Sequence, residues 1–106
     1  MIALPDKERW KGMSRLEQLA NIGSEVGRTA KWVAKCKPQM SEGAFLRALD
    51  LFDLTISCNS AAPGLLKEIC RSRDLFCQAY LSSDIDNLNY LDKYFARFAM
   101  ALRRRT

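Results

Sequence analysis

Four stretches of the chain repeat apolar residues at steps of three and four, the spacing that places side chains on one face of an α-helix. The clearest stripe lies near the end of the chain and consists of Leu88, Leu91, Phe95, Phe98 and Leu102. A helical face this apolar must be covered by another element. Because no stretch alternates apolar and polar residues like a strand, the pattern predicts an all-α fold.

The first long helix is predicted to begin at Ser14, because Ser14 and Glu17 have the spacing of a reciprocal capping box. It is expected to run to about Lys37, where Pro38 ends it. Its inward face is predicted to consist of Leu16, Leu19, Gly23, Val26, Ala30 and Val33. Two glycines on this helix, Gly23 and Gly27, are four residues apart, which favours close approach of a neighbouring backbone.

Three further helices are predicted, at about 41–58, 64–81 and 84–105. Ser41 is the expected cap of the first of these, and Ser83 or Asn87 the expected cap of the last. Connections this short make neighbouring helices antiparallel. The sequence therefore predicts an up-down-up-down antiparallel four-helix bundle. It is expected to form one domain over 1–106, in which 1–13 is a leader segment.

Three helical segments resemble a family of small microbial all-helical proteins of unknown function. They are residues 16–28, 47–55 and 93–100, and the resemblance extends over most of residues 10 to 103. The resemblance implies a compact helical domain and supplies no catalytic residues.

The chain contains no histidine, which removes the usual general base near neutral pH and a common metal ligand. Catalytic triads that need imidazole and Glu-x-x-His di-iron sites are therefore excluded. The sequence also lacks a Gly-rich phosphate-binding loop. We accordingly expect a protein that is not an enzyme and that has neither a cofactor nor a catalytic residue.

The four cysteines are Cys36, Cys58, Cys70 and Cys77. The nearest pair is seven residues apart, wider than the spacing of two to four that is usual in zinc sites. We expect reduced structural thiols that behave as small buried apolar groups, and no metal. With no secretion signal at the start and no run long enough to span a bilayer, the expected location is the cytoplasm, without membrane contact.

Arg73 falls on the apolar face of the third predicted long helix, and it is expected to lie level with Asp50 in an antiparallel pair. The sequence therefore predicts a partly buried ion pair between Asp50 and Arg73 that stabilises the bundle. A ligand-binding role for the two residues is the alternative.

Charge is uneven along a chain whose formal net charge is +5. Residues 1–37 and 87–106 are basic, whereas residues 38–86 are acidic. The predicted topology gathers the basic flanks at one end of the bundle, the candidate contact for nucleic acid or another anion. That basic end consists of Lys7, Arg9, Trp10, Lys11, Arg15, Arg103, Arg104 and Arg105. Cations beside an aromatic ring are typical of phosphate binding with base stacking, although a solvated surface gives the same pattern.

Apolar residues outside the main stripes favour a second interface, although a helix covered on two sides within a small bundle has the same broad apolar face. They are Tyr90, Tyr94, Met100 and Ala101 near the end of the chain, with Leu51 and Leu54 in the 41–58 helix. Surplus apolar surface of this kind is typical of protein binding or of a homodimer. We therefore expect a protein-interaction or self-associating module. A nucleic-acid-binding accessory protein that uses the basic end is the alternative.

Overall fold

The computed structural model describes residues 7–105, which form five helices and no strand. The helices are α1 (Lys7–Lys11), α2 (Arg15–Ala34), α3 (Pro38–Cys58), α4 (Pro63–Leu81) and α5 (Ile85–Arg104). The prediction of an all-α fold is confirmed. The expectation of four helices was wrong, because the leader segment 1–13 contains a fifth, α1. Residues 1–6 of that segment lie outside the described part of the chain.

The capping box at the start of α2 is confirmed. The Ser14 hydroxyl accepts a hydrogen bond from the Glu17 amide at 3.1 Å, and the Ser14 amide donates to the Glu17 carboxylate at 3.1 Å. The helix ends at Ala34, a few residues before the predicted end. Cys36 there has a φ of 55°, in the left-handed region, which turns the chain out of the helix.

The predicted cap of α3 was wrong. Pro38 is the first residue of the helix, where its fixed φ is favourable and its missing N–H costs nothing. Ser41 therefore lies inside the first turn, buried, and its hydroxyl donates to the Pro38 carbonyl oxygen at 3.1 Å.

The predicted caps of α5 were also wrong. Asp84 is the capping residue, and its carboxylate accepts from the Asn87 amide at 3.1 Å. Ser83 instead makes the turn out of α4, with a φ of 53°. Asn87 is the donor in this cap because it stands at the third position of the helix.

The core lies between the four long helices. α2 packs against both α3 and α5, and α4 packs less extensively against the same two helices. Phe52 is fully buried at the centre, with ring centroids 5.9 Å from Phe76 and 5.8 Å from Phe95. The predicted α5 stripe is buried at Leu88, Leu91 and Phe95, and its last two residues are partly exposed.

The contacts between α2 and α5 show that these two helices run in opposite directions. Gly23 of α2 lies against Phe95 of α5, and Gly27 lies against Asp92. The close approach that the two glycines predicted is therefore present. Within residues 7–105, none of the helices combines the length and the apolar character needed to cross a bilayer.

Candidate functional site

The cations predicted to form the basic end are all exposed. They are Lys7, Arg9, Lys11, Arg15, Arg103, Arg104 and Arg105. Arg15 is also tied to the fold, since its Nε donates to the Asn59 side-chain oxygen at 3.3 Å. These seven side chains can meet an anion in solvent.

Trp10 does not belong to that exposed surface. Its side chain is 1% exposed, and the indole N–H donates to the Thr55 hydroxyl at 2.9 Å. The prediction that this ring stacks on a base was wrong, because α1 turns it into the core against α3. What remains of the predicted contact is a set of cations without an aromatic platform.

A buried polar network fixes α1 in place. The Gln18 side-chain amide donates to the Trp10 carbonyl oxygen at 2.8 Å, and Asn59 donates to the Gln18 side-chain oxygen at 2.9 Å. Asn59 also donates to the Thr55 carbonyl oxygen at 2.8 Å. Buried amides satisfied in this way specify one arrangement of the segments they join. The network is therefore structural, and nothing in the sequence pattern pointed to it.

The predicted ion pair joins different residues. Arg73 Nε donates to an Asp53 carboxylate oxygen at 2.9 Å, whereas Asp50 is exposed and makes no contact with it. The guanidinium reaches the carboxylate one turn further along α3 than expected. The pair is not buried, since the two side chains are 30% and 59% exposed. The hydrogen bond to Asp53 raises the pKa of Arg73.

A buried carboxylate that the sequence did not reveal lies between α2 and α3. Glu25 is buried and accepts from Arg28 on its own helix and from Arg47 of α3. A buried charge with two cationic donors is compensated, so Glu25 joins the helices. Its position three residues after Ile22, on the inward face, is the sequence signal that could have identified it.

The cysteines are not uniformly buried. Cys36 and Cys70 are exposed, whereas Cys58 and Cys77 are partly buried, so the expectation of buried thiols was wrong for the first two. Burial raises the pKa of the Cys77 thiol. Within residues 7–105, no three cysteine or carboxylate side chains come together in a way that could hold a metal ion.

The open space between α4 and α5 forms a groove that combines two adjoining depressions of about 430 and 120 Å³. We call it the α4–α5 groove. The depressions share Glu68, Ser72 and Tyr94. The remaining lining side chains include Leu65, Leu75, Tyr90, Arg71, Arg97 and Phe98. Its wall is therefore apolar and aromatic, and arginines stand at its rim.

Tyr94 is the central side chain of this groove. Its hydroxyl donates to Glu68 Oε1 at 3.3 Å, and the Arg97 guanidinium lies 4.8 Å from the centre of its ring. Burial raises the pKa of Tyr94, and the charge of the adjacent Glu68 raises it further. Glu68 thus holds the hydroxyl of Tyr94, and Arg97 packs on its ring. The groove beside the ring is open to solvent.

The predicted surplus of apolar surface is present on α5 but not throughout α3. Tyr90 is 59% exposed and Met100 is also exposed, while Tyr94 is partly buried. Leu51 is buried because α3 is covered on more than one side, so it cannot line an outer interface.

Comparison with protein-family models, with curated proteins and with the solved structures gives no match. The resemblance to a family of small microbial helical proteins therefore stays a prediction.

Proposed function

We propose that the protein is a non-enzymatic binding module that receives an amphipathic helix of another protein in its α4–α5 groove. In this proposal the four long helices form an up-down-up-down bundle, and α1 is an added cover. The antiparallel course of α2 and α5, in which Gly23 meets Phe95 and Gly27 meets Asp92, supports that arrangement. Two ion pairs are also compatible with the bundle: Glu25 with Arg47 joins α2 to α3, and Arg73 with Asp53 joins α4 to α3.

The observation that carries the proposal is the aromatic lining of the groove. Tyr90 and Tyr94, one helical turn apart on α5, both line the groove, and Tyr90 is 59% exposed while Tyr94 is partly buried. Tyrosine and arginine are the residue types enriched where binding energy concentrates in protein interfaces. A groove between two helices suits a helical ligand that presents apolar side chains at steps of three and four.

Charge indicates the character of the ligand. Arg71 and Arg97 are exposed at the rim, while the one acidic lining residue, Glu68, is engaged by the Tyr94 hydroxyl. A ligand helix with acidic residues beside its apolar anchors would complement this rim. The proposed partner is therefore a protein with an acidic amphipathic helix.

Affinity capture with three forms of the chain tests this function. Tyr90→Glu alters the groove, and Leu46→Glu is the matched control, because Leu46 is similarly exposed at 51% but lies on α3. We expect a protein that binds wild type and Leu46→Glu but not Tyr90→Glu. Its acidic helix, made as a peptide, should compete for binding. Identical capture by all three chains would contradict the proposal.

A second candidate function is nucleic-acid binding, which rests on the seven exposed cations of the basic end. Binding of a labelled 20-nucleotide single strand should weaken steeply as salt rises, because each neutralised phosphate releases counterions. The Arg104→Glu, Arg105→Glu double variant should lose this binding, and Arg71→Glu, outside the basic end, should retain more of it. Absence of a complex at low salt would remove this candidate.

A further inference from the structure

A partly exposed aromatic ring flanked by cations lies on the outward side of α2, towards the end of the helix. Arg28, Lys31, Trp32 and Lys35 are separated by steps of three and four, so they share one face of the helix. We call it the α2 cationic face. Its three cations are exposed, and Trp32 is partly buried. None of the four residues lines the α4–α5 groove, so this face is separate from the site of the proposed function.

The lysines of the α2 cationic face lie close to the indole ring. The Lys31 ammonium nitrogen is 4.8 Å from the centre of the Trp32 ring, and the Lys35 nitrogen is 5.6 Å from it. Neither lysine forms an ion pair within residues 7–105, whereas Arg28 pairs with Glu25 on its own helix. Two cations that no carboxylate neutralises therefore stand beside an aromatic ring that solvent reaches.

The stretch of chain around this face carries no negative charge. Aspartate and glutamate are absent between Glu25 and Glu42, and four cations lie between these two residues. The negative end of the α2 dipole favours a lysine in the last turn, which gives Lys31 a structural role. The dipole does not account for a large aromatic ring on the outward face. An anionic ligand that also carries a flat apolar group would use both the lysines and the ring.

We propose that the α2 cationic face binds single-stranded nucleic acid. A base stacks on the Trp32 ring, and Lys31 and Lys35 pair with the neighbouring phosphates. Aromatic stacking combined with cations along the backbone is how proteins hold single strands without sequence preference. An acidic protein segment would pair with the lysines but has no base to place on the ring. Residues 28 to 35 extend over about 10 Å of helix, the length of roughly two or three nucleotides.

The α2 cationic face has the aromatic platform that the basic end lacks. Trp10 is buried, whereas Trp32 is only partly buried. The two surfaces also lie at opposite ends of α2, because Arg15 of the basic end is the first residue of this 20-residue helix, which is about 30 Å long. Variants of the two surfaces therefore distinguish the two contacts.

Fluorescence anisotropy of a labelled 20-nucleotide oligothymidylate tests the cations. The Lys31→Gln, Lys35→Gln double variant should bind at least about tenfold more weakly than wild type. The slope of log affinity against log salt should also become shallower by about 1.4, because each phosphate contact in a single strand contributes ~0.7. The Lys67→Gln, Lys93→Gln double variant is the matched control, since it removes the same charge at exposed lysines outside the face. Equal losses in the two double variants would overturn the proposal, as would the absence of a wild-type complex at low salt.

Trp32→Ala tests the stacking. It should raise the dissociation constant for the oligothymidylate at least about fivefold and leave the salt slope unchanged. Its affinity for inorganic polyphosphate, which has no base, should equal that of wild type. The strand should quench the indole fluorescence of wild type but not that of Trp32→Ala, whose remaining Trp10 is 1% exposed. An equal loss of affinity for both ligands would overturn the stacking, because Trp32 would then act only through the fold.

The same quenching assigns the contact to one of the two cationic surfaces. In the Arg104→Glu, Arg105→Glu double variant of the basic end, the strand should still quench Trp32. If the strand instead bound the Lys31→Gln, Lys35→Gln double variant as tightly as wild type and failed to bind the basic-end variant, the contact would lie at the basic end. That result would overturn the proposal for α2 and leave the test of the α4–α5 groove with Tyr90→Glu unaffected.

Discussion

Gly23 of α2 lies so close to Phe95 of α5 that a Cβ atom built on the glycine would be 2.8 Å from the Phe95 Cβ. Non-bonded carbon atoms do not approach that closely, and the Phe95 Cβ belongs to a fully buried residue that cannot move aside. The glycine therefore sets the separation of the two helices.

We expect Gly23→Ala to destabilise the fold by about 1–3 kcal/mol, although alanine is the better helix former. The reason is overpacking against Phe95. Gly64→Ala is the matched control, because a Cβ there meets nothing within 4 Å, and it should stabilise the fold by a few tenths to ~1 kcal/mol. Urea unfolding measures both changes. A stabilising Gly23→Ala would show that the helices can separate at little cost.

The features that depend on neighbouring residues were predictable from the sequence. The capping box of Ser14 and Glu17 lies within one helical turn, and the α5 stripe follows from spacing alone. The start of α3 was missed because Pro38 was interpreted only as the end of the preceding helix, whereas it is the first residue of α3. The start of α5 was predicted to within one residue, but its cap was assigned to Ser83 or Asn87 and not to Asp84.

The site was less predictable, because its geometry depends on contacts between distant residues. Burial of Trp10 is fixed by Thr55, 45 residues away, and no local pattern encodes that contact. Arg73 pairs with Asp53 and not with Asp50, which is one helical turn away on α3. The sequence does not specify the position of the guanidinium group closely enough to distinguish the two. The α4–α5 groove depends on how far two helices stand apart, which apolar spacing does not specify.

Trp10→Ala should destabilise the fold by about 3–5 kcal/mol, the range for removal of a large buried aromatic side chain. The variant also leaves α1 without the side chain that holds it in the core. Trp32→Ala is the control. Trp32→Ala should lower the free energy of unfolding by less, since Trp32 is only partly buried and its ring packs against the Lys31 and Lys35 ammonium groups. Denaturant unfolding followed by circular dichroism compares them, and equal losses would contradict the assigned role of Trp10.

Tyr94 should make stability fall with pH in the alkaline range. Its pKa in the folded protein is raised by burial and by Glu68, so the folded state keeps the proton that the unfolded chain loses near pH ~10. The free energy of unfolding therefore decreases as pH rises from there towards the folded pKa. Tyr94→Phe removes this contribution, so the difference between wild type and variant is the measurement. Parallel pH profiles for the two proteins would be incompatible with the assignment.

The ion pair between Asp53 and Arg73 should contribute little to stability. Both side chains are partly exposed, and pairs of this kind are worth about 0–1 kcal/mol. A double-mutant cycle with Asp53→Ala and Arg73→Ala measures the coupling, and the same cycle with Asp50→Ala should give none. A coupling of about 3–5 kcal/mol would instead indicate a buried pair.

The position of Trp10 also makes α1 part of the folding unit. A shortened chain that started at the capping box would leave a cavity where the indole ring lies. It would also lack the indole N–H from which the Thr55 hydroxyl accepts a hydrogen bond. A shortened chain made for expression should therefore retain α1 with Trp10, and an affinity tag ahead of α1 needs a spacer that does not displace the ring from its site.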